Sequence, residues 1–222
     1  MGTLYLVRHG QASFGADDYD VLSDLGYQQA LRLGGYFKYK GIAFDAAFTG
    51  TLLRQIKTFE GIAEGMRAPI TATALPGLNE YDSHAVIATV HPHRLEKPTT
   101  PEMYRSHFRL LKDGLAQWMA GAVSPQGMPS YSDFSRGITD VLDHIRKTWE
   151  GNVLLVSSGG PISTAVGHVL GTSPETTIEL NLRIRNASVT EFAFTPKRHM
   201  LVTYNTLPHL DAPEHAEWIT YA

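Results

Sequence analysis

The segment Leu6-Val7-Arg8-His9-Gly10 places a guanidinium, an imidazole and a residue without a side chain in direct succession. An imidazole can attack phosphorus and hold the phosphoryl group, which divides one difficult displacement into two easier ones. Arg8 beside it can grip phosphate oxygens through a planar fork that lysine cannot reproduce. Gly10 removes a side chain where backbone and phosphate would have to approach closely. A tripeptide of this kind also arises by chance around a surface histidine, so its setting has to decide its meaning.

The setting is a strand end. Residues 3–7 form a short apolar, β-prone run that stops at Arg8. Ser23 then reads as an N-cap, followed by Leu25, Ala30, Leu31, Leu33 and Phe37 at helical spacing up to Gly41. Residues 45–49 predict a second strand, 51–65 a second helix and 69–74 a third strand. This alternation argues for parallel βαβ units in a three-layer α/β sandwich with a mainly parallel central sheet. In such sheets ligands bind beyond the carboxyl ends of the strands, where Arg8-His9-Gly10 falls. The rhythm then breaks at about residues 76–132, read as a cap inserted into a single domain spanning 1–222. That insertion holds a polar run at 96–101, a helix over 102–121 and a Gly/Pro/Ser-rich linker at 123–132. A helix at 133–149, a fully apolar strand at 153–156 and a helix from Gly160 to Leu170 follow. Residues 187–194 and 200–204 predict a closing pair of strands, and the tail from Asn205 shows no period.

With these elements in place, the chain resembles the histidine phosphatase superfamily, also called the phosphoglycerate mutase-like family, over about residues 3–205. The family's opening Arg-His-Gly appears as Arg8-His9-Gly10. Its Leu-[ST]-x-x-Gly-x-x-Gln-Ala appears as Leu22-Ser23-Asp24-Leu25-Gly26-Tyr27-Gln28-Gln29-Ala30. Its second arginine matches Arg54, and its acidic residue after the third strand matches Glu80 in Leu78-Asn79-Glu80. The resemblance implies His9 as nucleophile and Arg8 and Arg54 as a phosphate clamp. It implies Glu80 as the acid that protonates the leaving alkoxide and later, as a base, activates water. Taken one at a time, an arginine opening a helix or a glutamate after a turn is an ordinary surface residue; their order carries the inference.

One departure stands out. Where the family has Ser-His-Gly-Gly, this chain has Ser157-Ser158-Gly159-Gly160. A hydroxyl at Ser158 can donate one hydrogen bond to a phosphoryl oxygen but cannot carry positive charge. Losing one preorganised donor of this kind costs on the order of 10²–10³ in rate. Backbone amides from Gly159 onward, at a helix N-terminus, can still cradle an anion. The same strand-turn-helix setting admits a serine hydrolase, but Val156 stands where that elbow needs its first glycine.

The remaining features narrow the field. Across 222 residues the formal charge is −3 and no cysteine occurs. That excludes disulfides, thiolate nucleophiles and cysteine-bound zinc, and gives no support to nucleic-acid binding. The N-terminal apolar run is too short for a signal peptide, and no stretch reaches the ~20 apolar residues of a membrane span. A cytoplasmic protein acting on a small phosphorylated substrate, with no metal, cofactor, nucleic-acid or membrane partner, is therefore expected; oligomeric state is unreadable, although Trp218 and Tyr221 in the tail could form an interface. His91 and His93 fit a polar loop better than a metal site, and no third ligand accompanies them. His84 is expected on the cap surface, His168 inside a helix, and His209 either on the surface or folded back as a substitute for the second histidine. Tyr104, Phe108 and Trp118 are expected to pack the cap, with an apolar substrate pocket as the alternative. A phosphomonoesterase working through a phosphohistidine on His9 is the preferred function. A mutase is the alternative, disfavoured by Gln11 and Ala12 where mutases carry Glu and Asn. A phosphate-binding regulatory protein with little turnover is the third reading, supported by Ser158.

Overall fold

The structure, a computed structural model, describes residues 1–12, 20–93, 95, 96 and 98–221. Lys97, in the polar run expected at 96–101, lies outside the described residues.

Strand β1 (Gly2–Arg8) alternates strictly between two cores. Leu4 and Leu6 enter one apolar cluster and Val7 the other, as the period of two in a strand requires. β4 (Gly151–Ser157) does the same, with Val153 and Leu155 on one face and Leu154 and Val156 on the other. A strand apolar on both faces is stable only with a layer on each side. Helices α1 (Asp24–Tyr39) and α2 (Leu53–Met66) supply one layer through Leu33, Phe37, Phe59 and Ile62. Helices α5 (Tyr131–Thr148) and α6 (Gly159–Leu170) supply the other through Ile138, Leu142, Ile145 and Ile162.

With β2 (Ala46–Thr49), β3 (Thr73–Ala74), β5 (Val189–Thr195) and β6 (Arg198–Thr206), the sheet has six strands in the order β3-β2-β4-β1-β5-β6. β3, β2, β4 and β1 run parallel, while β5 pairs antiparallel with both β1 and β6. The expected α/β sandwich with a mainly parallel sheet is therefore the observed architecture. β3 is shorter than the expected 69–74, and only Thr73 and Ala74 pair with β2. Pro69 cannot donate to a ladder, and the strand lies at the sheet edge where little enforces pairing.

Between β3 and α5 the chain forms a 3₁₀ turn (Pro76–Leu78), α3 (Ser83–Ala88) and α4 (Pro101–Met119). Val86, Ile87, Leu111, Leu115 and Trp118 gather there with Ile178 of α7 (Pro174–Arg183) into a third cluster. Neither α3 nor α7 was expected, and α5 begins at Tyr131, inside the expected linker. Each of these helices opens on a side-chain cap: Asp82, Ser173 and Ser130 accept hydrogen bonds from first-turn amides. Trp118 is packed against Tyr81, Tyr131 and Phe134 as expected. Tyr104 and Phe108 correct the expectation, being 36% and 48% exposed. No helix among the described residues is long and apolar enough to cross a membrane.

Candidate functional site

Because β1 to β4 run parallel, their carboxyl ends share one edge of the sheet. His9 follows β1, Arg54 opens the helix after β2, Glu80 follows the turn after β3, and Ser158 and Gly159 follow β4.

His9 is 2% exposed and fastened from several sides. Its amide donates to the Ser157 carbonyl at 2.9 Å, and its carbonyl accepts from the Ala187 amide at 3.2 Å and from Asn186 Nδ2 at 3.3 Å. Its ring Nδ1 lies 2.7 Å from the Gly10 carbonyl. A carbonyl only accepts, so Nδ1 carries the proton and Nε2 keeps its lone pair. Nε2 accepts from Arg54 Nε at 3.3 Å. Burial, then the charges of Arg8 and Arg54, hold the imidazole well below its ordinary pKa, and the Gly10 carbonyl opposes them only in part. A neutral ring with a bare Nε2 is the nucleophilic form.

The motif that follows Arg-His-Gly docks α1 onto this loop. Ser23 caps α1 through the Gly26 amide and donates to Gln11 Oε1 at 2.9 Å. Gln29 accepts from the Gln11 amide at 2.9 Å. The Gly10 amide donates to Thr58 Oγ1 at 2.9 Å, which ties the loop to α2 as well. A Cβ on Gly10 would lie 2.3 Å from the Gly26 carbonyl oxygen. The glycine is thus required by contact between two backbones, a demand separate from the close approach of phosphate expected from the sequence.

Arg8 and Arg54 are both nearly buried. Arg8 Nη1 donates to the carbonyls of Ile184 at 2.6 Å and Tyr221 at 2.7 Å, which fixes the plane of its fork. Arg54 Nη1 pairs with Asp20 Oδ1 at 2.8 Å. The other Asp20 oxygen accepts from the Leu53 amide at 2.8 Å, so one carboxylate caps α2 and orients the arginine. Sequence reasoning missed Asp20, Gln55, Thr58 and Asn186, whose roles depend on partners far along the chain.

Glu80 is partly buried and takes the place of a cap at α6, accepting from the Gly160 amide at 3.1 Å. The Tyr81 amide reaches its other oxygen at 3.1 Å. Burial raises its pKa above the ordinary carboxyl value, against the lowering effects of the Gly160 amide, Arg54, Arg8 and the Tyr81 amide. Such a carboxyl keeps its proton longer than a solvated one and suits a general acid. Ser158 is fully buried, its hydroxyl accepting from Gln55 Nε2 at 2.8 Å. Gly159, also buried, begins α6 beside it.

The other histidines lie elsewhere. His84 is exposed in α3, and His168 sits in α6. His91 Nδ1 lies 2.9 Å from the carbonyl of His93. His209 is buried near Arg32 and His215, and neither ring nitrogen has a hydrogen-bond partner among the described residues. It is neither on the surface nor bonded to His9 or Ser158, which corrects both expectations for it. The tail is structured where no period was seen: a 3₁₀ helix (Pro213–Trp218) leads to Thr220, whose carbonyl accepts from the Asn186 amide at 2.9 Å.

A strand-end histidine flanked by two buried arginines and a carboxyl of raised pKa, on a mainly parallel sheet, is an arrangement suited to phosphoryl transfer. Residues 4–207 match the model of the histidine phosphatase superfamily (branch 1), and the chain belongs to that superfamily. It is 25% identical over 223 residues to a Hydrogenobacter thermophilus protein provisionally named phosphoserine phosphatase 2, covering 94% of this chain and 98% of the relative. A Staphylococcus carnosus 2,3-bisphosphoglycerate-dependent phosphoglycerate mutase is 45% identical over 64 residues, a stretch covering 26% of this chain and 28% of the mutase. The match thus spans well under half of that mutase. A phosphoserine phosphatase from Entamoeba histolytica has the same fold, with a TM-score of 0.67 at 21% identity over 95% of this chain and 100% of that one.

Proposed function

We propose that the chain is a phosphomonoesterase that works through a phosphohistidine on His9 and needs no metal ion. The observation that carries this reading is the Nδ1 contact with the Gly10 carbonyl, which leaves Nε2 unprotonated beside Arg54. Nε2 attacks phosphorus, an N–P bond forms and the ester P–O bond breaks. The leaving alkoxide takes the proton of Glu80. Water then gives a proton to the Glu80 carboxylate and attacks phosphorus, and the N–P bond breaks to release phosphate and restore His9. Arg8 and Arg54 offset the charge on the equatorial oxygens, helped by Ser158 and the Gly159 amide.

Hydrolysis is preferred to mutase chemistry because Gln11 is engaged with Ser23 and Gln29 rather than standing as an acid near the nucleophile. The small phosphorylated substrate is expected to be a monoester; relatives named as phosphoserine phosphatases make phosphoserine the first to try. The purified chain should hydrolyse a chromogenic aryl phosphate in the presence of a chelator, and His9→Ala should abolish it. Phosphate or vanadate binding without turnover would instead support a regulatory phosphate-binding protein, the reading that Ser158 favours.

A further inference from the structure

Ser158 stands at the N-cap of α6, where a serine ordinarily turns its hydroxyl onto an amide of the first helical turn. It makes no such bond. Its Oγ accepts instead from Gln55 Nε2 at 2.8 Å, and the Gly160 amide is left to Glu80. The orientation of the Gln55 amide follows from its partners. Oε1 faces the Leu52 amide at 3.4 Å, while Nε2 also donates to the Leu78 carbonyl at 3.0 Å. Gln55 and Ser158 are both completely buried, and the chain is built around the glutamine: a Cβ on Gly50 would fall 1.9 Å from its Oε1.

A serine hydroxyl offers one proton and two acceptor positions. With Gln55 donating to it, the proton is directed away from Gln55. The same amide nitrogen shares the Leu78 carbonyl with Ser157 Oγ, which donates to it at 2.7 Å. Gln55 therefore holds both the residue that opens α6 and the segment that leads into Glu80.

We propose that Gln55 is a positioning residue for phosphoryl transfer, fixing Ser158 so that its hydroxyl proton is presented to the phosphoryl group. Gln55 and Ser158 together form a neutral donor unit where the superfamily pattern has a second histidine. The inference rests on the phosphomonoesterase reading for its kinetic arm and only on anion binding for its second arm. Ser158→His alone is expected to bring back little of the superfamily pattern, because the Gln55 amide already occupies the neighbouring space. Ser158→His combined with Gln55→Ala makes room for the imidazole.

The test is a double-mutant cycle on the full chain with Gln55→Met, Ser158→Ala and the pair, measuring kcat and KM for an aryl phosphate and the Kd for vanadate. Each single change should lower kcat about 10-fold or more with a smaller change in KM, and weaken vanadate by a similar factor. The double variant should be no worse than the poorer single, because both remove the same donor. Losses that multiply, or a Gln55→Met variant with wild-type kcat and vanadate affinity, would overturn the proposal. If Gln55→Met fails to fold, Gln55→Glu replaces it: a carboxylate captures the Ser158 proton, and wild-type behaviour of that variant would equally overturn it. If the wild type turns over no monoester, the phosphatase reading fails, and the vanadate arm still decides the pair.

Discussion

Arg54 Nε lies 3.3 Å from His9 Nε2, the ring nitrogen left without a proton when Nδ1 donates to the Gly10 carbonyl. On the proposed phosphohistidine route, the guanidinium is thus aimed at the spot where the transferring phosphoryl group arrives. Lysine reproduces the charge but neither the Nε contact nor the Nη1 pairing with Asp20. Arg54→Lys should lower kcat/KM by on the order of 10²–10³ while leaving the melting temperature nearly unchanged, read by steady-state kinetics and a thermal melt. A variant as active as wild type would remove Arg54 from the transition state.

Asp20 should have a separable effect. Its carboxylate caps α2 through the Leu53 amide and holds Arg54 Nη1. Asp20→Ala should cost about 1 kcal/mol of stability through the lost cap and raise KM. Asp20→Asn should recover most of the stability, since Asn caps nearly as well, but not the KM. Equal melting of Asp20→Ala and wild type would contradict the capping role.

The pH profile follows from the directions of two shifts. His9 must be neutral to attack, and its pKa is lowered well below 6.5, so activity should rise with pH on a limb lying below that value. Glu80 must hold a proton to protonate an alkoxide, and its pKa is raised above 4.5, so activity should fall as pH rises through that shifted value. Activity should therefore peak between the two shifted values, with a bell-shaped kcat/KM. Glu80→Gln should remove the descending limb and slow alkyl phosphates more than aryl phosphates, whose leaving groups need less help from an acid.

Acid should also weaken the tail. Burial, Arg32 and His215 lower His209 from 6.5 to about 3, and the unfolded chain takes up that proton first as pH falls. Stability should decline from about pH 6.5 toward pH 3 at up to ~1.4 kcal/mol per pH unit from this group. His209→Leu should flatten that slope in pH-dependent denaturant melts. An unchanged slope would show that His209 is not the group responsible.

The meeting of His9 with Arg8 and Arg54 was legible because strand, turn and helix leave short-range signals and because Arg8-His9-Gly10 sits on one of them. The residues that support them were not. Gln55 looks like an ordinary helix residue beside Arg54, and only the long-range approach of Ser158 gives it meaning. Helix α7 escaped notice because only Thr177 and Ile178 are buried, so it has little apolar stripe, although Ser173-Pro174-Glu175 carries a helix-start signature. The tail is ordered by tertiary bonds to Gln29, Asn186 and Arg8, which no local period records.

A phosphoryl group carried on His9 can be trapped chemically. Wild-type protein mixed with a radiolabelled phosphomonoester and denatured within a turnover should retain acid-labile, base-stable label on the peptide containing His9, and His9→Ala should retain none. Full turnover with no trapped label at any quench time, or label that persists in His9→Ala, would show that His9 is not the phosphoryl carrier.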